Sequence, residues 1–145
     1  MTTADAGRAW REHRTEAAAA HAKEIVRRRA AEAAEARVLI AEFVRKANAR
    51  GIRPVRLRTR SYDGRSRYRT AVHGWYLRRN ESVAVGTDGE FYLLTVPASL
   101  RSHLRGARLE PSDPPLVLGK GARDGESIDL TDALAIALGD AERRT

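Results

Sequence analysis

The stretch "RPVRLRTRSYDGRSRYRT", residues 53–70, holds seven arginines and a single acid, Asp63. Arginine is the residue for gripping anions: its planar fork bonds phosphate or carboxylate in bidentate fashion and stays charged throughout the physiological range. Asp63-Gly64 is a two-residue hairpin signal, because a type I′ turn needs φ > 0 at both central positions. With that turn, Tyr62 faces Arg65, Arg60 faces Arg67, Arg58 faces Arg69 and Arg56 faces Ala71. One face then carries Arg56, Arg58, Arg60, Arg65, Arg67 and Arg69 with Tyr62 and Ala71. The other carries Val55, Leu57, Thr59, Ser61, Ser66, Tyr68, Thr70 and Val72. A slip of one residue would put three arginines on each face and bury charge, so the pattern itself selects the register.

Arginines placed directly opposite one another destabilise a sheet. No glutamate is interleaved among them, so the arrangement calls for an anion. Three sources are open: a nucleic-acid backbone, an acidic protein, or the chain's own Glu110, Asp113, Asp124, Glu126, Asp129 and Asp132. Eight strand residues reach roughly 26 Å, and duplex DNA offers a phosphate charge per ~1.7 Å of axis. A two-stranded ribbon can enter a B-DNA major groove or lie along RNA. Tyr62, near the tip, is placed to stack on a base.

Other constellations carry less. "GKGARDG" (residues 119–125) has the glycines of an anion loop, with Lys120, Gly121 and Arg123 as its donors. It lacks the spacing of a nucleotide-binding loop, and a connecting loop is the plainer reading. "DGESIDLTD" (124–132) has four acids, but not in the order of a calcium loop; Asp129 or Thr131 as the cap of a following helix explains more. His13 and His21 are eight apart on a helix, too far for a metal pair. His73 with arginine and tyrosine would suit RNA cleavage, but no catalytic motif accompanies it, and a strand histidine at the edge of the core is the commoner case. Trp75, Tyr76, Phe91 and Tyr92 read as core. No metal or cofactor is expected.

These residues need elements to hold them. Residues 8–50 read as one helix of alanine, glutamate and arginine. Gly51 in a left-handed cap, Ile52 folding back onto Ala47, and Pro54 end it. Its second half has an apolar stripe of Ala36, Leu39, Ile40, Phe43, Val44 and Ala47. In its first half only Trp10, Ile25 and Val26 are large and apolar. Three fates are open to residues 1–30: to project, to dock on a partner, or to pair with themselves. A heptad through Ala22, Val26, Ala33, Ile40 and Ala47 takes Arg29 and Arg37 into its seam, a weak coiled-coil pattern. Strands follow at 55–62 and 65–72, then "GWYL" (74–77), with a bulge at its glycine, and a hairpin "SVAVGTDGEFYLLTV" turning at Asp88-Gly89. Phe91 to Val96, apolar on both faces, reads as a central strand covered on two sides. "ASLRSHLRG" suggests a short helix, "EPSDPP" a rigid loop, "LVL" (116–118) a strand, and residues 131–142 a last helix with Leu134, Ala137 and Leu138 inward.

The net charge of +8 is unevenly spread: +4 over residues 1–50, +8 over 51–80 and −4 over 81–145. Such asymmetry points to a polyanion-binding surface. A genome rich in G and C would raise arginine over lysine, and only Lys23, Lys46 and Lys120 are present; it would not gather arginines on one face of one hairpin. No run of 18 apolar residues spans a membrane, the start lacks the apolar core of a secretory signal, and there is no cysteine. The expectation is a cytoplasmic α+β protein: a long helix over residues 1–50, then an α+β domain over 52–145 with the basic hairpin at 55–72. Its expected role is non-enzymatic nucleic-acid binding through Arg56, Arg58, Arg60, Tyr62, Arg65, Arg67 and Arg69, with RNA or a ribonucleoprotein preferred over DNA. A protein partner or self-association through residues 8–47 is the alternative, and a small ribonuclease the third.

Overall fold

The computed structural model describes residues 2–96, 109–120 and 126–140. The first element is one uninterrupted helix, α1 (Thr3–Ala49), roughly 70 Å long at the usual rise. It starts earlier than the alanine-rich pattern suggests because Thr2 and Asp5 form a reciprocal capping box. The Thr2 hydroxyl oxygen accepts from the Asp5 N–H (3.3 Å) while the Asp5 carboxylate accepts from the Thr2 N–H (3.3 Å). At the other end Gly51 takes φ 69°. The Gly51 N–H donates to Asn48 O (3.2 Å) and the Ile52 N–H to Ala47 O (3.0 Å), the two bonds of a Schellman motif.

The helix has two unlike halves. From Ala33 onward its Ala33, Ala36, Ile40, Phe43 and Ala47 are buried, with Leu39 and Val44 packed beside them. No residue from 2 to 31 is buried; Trp10 is 62% and Val26 67% exposed.

Five strands follow: β1 (Val55–Ser61), β2 (Arg67–Tyr76), β3 (Val83–Gly86), β4 (Phe91–Leu93) and β5 (Thr95–Val96), in the order β4-β3-β2-β1-β5. The two edges of that order are neighbours in the chain, separated by Leu94 alone. Leu94 donates its N–H to Ser82 O (2.9 Å), beside β3, and accepts at its carbonyl from the Arg60 N–H of β1 (2.8 Å). The sheet therefore closes on itself. Its pairs are antiparallel except the closing one, where β1 and β5 run parallel. Phe91 to Val96 is thus not a central strand but the closing one, paired on β3 by its first half and on β1 by its second.

Alternation along these strands makes two cores. Leu57, Ala84, Tyr92 and Leu94 fill the inside of the ring, with Val72, Tyr76 and Leu109 beside them. Outside, Trp75, Leu77, Val83, Val85 and Phe91 pack under α1 and under α2 (Leu130–Leu138). Phe43 meets Trp75 edge-on at 5.5 Å, and the Trp75 indole N–H donates to Ile52 O (3.0 Å), pinning the foot of α1 to the sheet. A short pair, β6 (Val117–Leu118) with β7 (Ile128–Asp129), leads into α2.

Several expectations are corrected. "GWYL" is no separate strand; it is the far end of β2, and the bulge lies between Thr70 and Val72. Gly74 is there for close approach: a Cβ on it would lie 2.1 Å from Val85 O. The last helix runs Leu130–Leu138, stopped by Gly139 at φ 80°, and its N-cap Asp129 makes no side-chain capping bond. The short helix expected at "ASLRSHLRG" lies outside the described residues.

Candidate nucleic-acid interface

The hairpin of β1 and β2 carries the arginines. Arg60 pairs with Arg67, Arg58 with Arg69, and Thr59 with Tyr68, the register the sequence implies. The turn is not the I′ turn expected of it. Only Gly64 has positive φ (74°), the Gly64 N–H donates to Ser61 O (2.9 Å), and the Ser61 N–H donates to Ser66 O (2.9 Å). The loop is thus four residues, Tyr62 to Arg65, so Tyr62 and Arg65 sit at the tip rather than as a strand pair. Asp63 explains the change. Its carboxylate accepts from the Ser61 hydroxyl (2.5 Å) and the Arg65 N–H (3.0 Å), a local bond that a two-residue turn does not need. These donors hold the Asp63 carboxyl below its usual range, the Ser61 hydroxyl contributing most.

The second departure is at Arg56, which faces His73 instead of Ala71. Opposite Leu57, β2 spends three residues: Thr70, Ala71 and Val72. The Thr70 hydroxyl donates to Leu57 O (2.8 Å) and accepts from the Val72 N–H (3.2 Å). Arg56 Nε donates to Thr70 O (2.7 Å), and the Arg58 N–H, which like that of Arg60 points away from β2, donates to the Tyr76 hydroxyl (3.0 Å). Two extra residues is an even number, so alternation along β2 survives and His73, opposite Arg56, stays on the face of Arg67 and Arg69.

That face is the outside of the ring. Arg56, Arg58, Arg65, Arg67 and Arg69 are exposed, Arg60 is half-buried with its guanidinium donating to Asn80 O, and Tyr62 is 71% exposed. Leu57, Thr59, Ser61 and Thr70, on the other side, are buried. His73 is exposed beside Arg56 rather than tucked at the edge of the core.

The acidic C-terminal part engages the long helix. Asp113 pairs with Arg37 (2.6 Å) and Asp140 with Arg50 (2.5 Å), while the Glu32 carboxylate accepts from the Leu116 N–H (2.9 Å). Among the described residues no ion pair reaches any of the six hairpin arginines. Sequence alone could not assign these acids, because their partners lie 76 and 90 residues away.

The remaining candidates do not gather at this face. Lys120 is exposed after β6; Gly121 and Arg123, its partners in the expected anion loop, lie outside the described residues. Trp75, Phe91 and Tyr92 are buried and Tyr76 half-buried, as core. Among the described residues no three histidines or acids stand together as a metal site, and no helix is long and apolar enough to cross a membrane.

No protein-family model matches the chain, no curated protein is similar to it, and no solved structure matches its fold. What defines the molecule is therefore its own architecture: an α+β protein with a long N-terminal helix and an arginine face on a closed sheet.

Proposed function

We propose that this protein is a non-enzymatic nucleic-acid-binding protein whose arginine hairpin contacts the phosphate backbone. The observation that carries the reading is the unneutralised face: five strand arginines on one side of one hairpin with Arg65 at its tip, two pairs directly opposed, and no ion pair to any of them among the described residues. Such a face costs folding energy and is offset by a polyanion. Contacts of this kind position a backbone and carry little sequence information. RNA or a ribonucleoprotein is preferred over DNA, a preference resting on the missing helix-turn-helix pattern.

Fluorescence anisotropy with labelled RNA and DNA at about 50 and 200 mM salt tests it. Five phosphate contacts weaken duplex binding several-hundred-fold over that range, at roughly 0.9 per contact in the log–log slope. Arg58→Glu with Arg67→Glu abolishes binding. The same pair of changes turns both opposed Arg–Arg pairs into Arg–Glu pairs, so stability holds or rises by up to about 1 kcal/mol. Absence of binding at the lower salt would sink the proposal.

A second reading rests on the exposed half of α1. Residues 2–31 of the helix pack on nothing among the described residues, and Trp10 and Val26 stand open on it. In that reading helix and hairpin grip an acidic protein. Deleting residues 1–30 would then lose the partner in a pull-down while affinity for nucleic acid is near zero.

A further inference from the structure

We infer that the arginine face takes a double helix in preference to a single strand. The inference rests on the proposed nucleic-acid reading and names the class of nucleic acid. Proteins that hold single strands without reading sequence combine a positively charged groove that tracks the backbone with aromatic side chains on which the bases stack. The arginine face has neither among the described residues. It lies on the outside of a closed sheet, so it is convex. Two clefts among the described residues lie elsewhere. One, of about 170 Å³, runs between α1 and α2 past Phe43 and Leu134; the other, of about 310 Å³, lies between Tyr76–Arg79 and Ile136. Neither is lined by any of the six arginines.

The aromatics are spent as well. Trp75, Phe91 and Tyr92 are buried in the two cores, and the Tyr76 hydroxyl accepts from the Arg58 backbone N–H. Tyr68 alternates onto the inner side of the hairpin, paired with Thr59. Tyr62 alone stands open on the arginine side, at the tip, beyond the paired rows. One ring at the end of a ribbon is not a stacking platform.

A double helix asks for what is present. It keeps its bases stacked, so no aromatic is needed, and it offers rows of phosphate on both sides of a groove. The ribbon has two rows of arginine, stepped every second residue, or roughly 6.7 Å. A duplex strand advances 3.4 Å per phosphate, so each step of a ribbon lying along the axis meets about every second phosphate. On B-form DNA the receiving surface is the major groove, about 12 Å wide, which admits a two-stranded ribbon. On A-form RNA it is the wide, shallow minor groove, read by shape and backbone. The shared chemistry is a groove edged by two phosphate rows.

The test uses the whole chain and four labelled probes of about 20 nucleotides: one RNA and one DNA strand without self-complementarity, and their matched duplexes, at ~100 mM salt. The expected result is a duplex, RNA or DNA, bound at least about tenfold more tightly than its own single strand, because the stacking that sustains single-strand affinity is missing. Which duplex leads identifies the source. Tyr62→Ala should change duplex affinity by less than about threefold. Single strands bound as tightly as duplexes, or a tenfold loss on Tyr62→Ala, would overturn the inference while leaving the nucleic-acid reading standing. Duplex binding undiminished by Arg58→Glu with Arg67→Glu would place the contact elsewhere and overturn it too. Silence from all four probes would end both.

Discussion

Both hairpins turn at Asp-Gly, Asp63-Gly64 in the first and Asp88-Gly89 in the second, and both glycines take positive φ, 74° and 80°. In both, the aspartate accepts from the backbone N–H two residues on, Arg65 (3.0 Å) and Glu90 (2.9 Å). Both also turn their inner faces into one ring. The linings differ: Ala84, Tyr92 and Leu94 from the second hairpin and its closing strand, against Leu57, Thr59, Ser61 and Thr70 from the first. The outer faces differ more. Val83, Val85 and Phe91 lie under the helices, whereas the arginines of the first hairpin meet solvent. The second hairpin is finished for folding on both sides. The first folds by its inner side and by its neighbours, and its outer side is left to solvent.

Truncating the outer face tests that contrast most strongly. Phe91→Ala should cost about 3–5 kcal/mol in urea unfolding, the toll of a cavity in a closed core. Arg67→Ala, the same kind of truncation on the arginine face, should stay within about 0.5 kcal/mol. Equal losses at the two positions would mean that the arginines hold the fold and would erase the distinction. A smaller effect lies inside the ring. The buried Thr59 hydroxyl has no hydrogen-bond partner among the described residues. Thr59→Val keeps the shape and removes that group, so the melting temperature should rise, by about 1 kcal/mol of stability; a fall would show that the hydroxyl has a partner.

The smallest difference is at the turns. The second is tied inward, because the Tyr92 hydroxyl donates to Asp88 (2.5 Å), and burial first, then that bond, raises the Tyr92 pKa above its ordinary value. The first has only local bonds to Asp63. The Asp63 carboxyl sits below its usual range. Its contribution is therefore complete above the unfolded value, about 3.9, and is lost as pH falls through the lower folded value. Amide exchange at Arg65, corrected for intrinsic rate, should speed up on acidification over that interval while Val85 keeps its protection. Uniform protection across both hairpins would remove the asymmetry.

Local chemistry was legible in the sequence, and distant chemistry was not. Gly51, Ile52 and Pro54 announced the helix end because a cap is made by adjacent residues. The pairs Arg60–Arg67 and Arg58–Arg69 followed from alternation, which penalises a slip by burying charge. The four-residue loop and the bulge were missed because each is decided by one side chain, Asp63 or Thr70, competing with regular pairing. The capping box at Thr2 and Asp5 was signalled by its spacing but outweighed by the alanine run that follows. Ring closure had no local sign: Arg60 and Thr95 pair across 35 residues, and nothing in either stretch names the other. The arginine face itself was readable; that Asp113 and Asp140 turn to Arg37 and Arg50 was not.

Closure through Leu94 also sets an order of events during synthesis. The arginine hairpin leaves the ribosome before the strand that completes its ring, and at ~5–20 residues per second the interval from Ser61 to Leu94 lasts roughly 2–7 s. For that time Leu57 and its neighbours have no closing strand, while the charge beside them is already displayed. A nascent chain with this architecture offers its cationic surface to the polyanions around the ribosome before its native fold is complete, and the repulsion between arginines that is costly in the finished protein keeps such chains from sticking to one another.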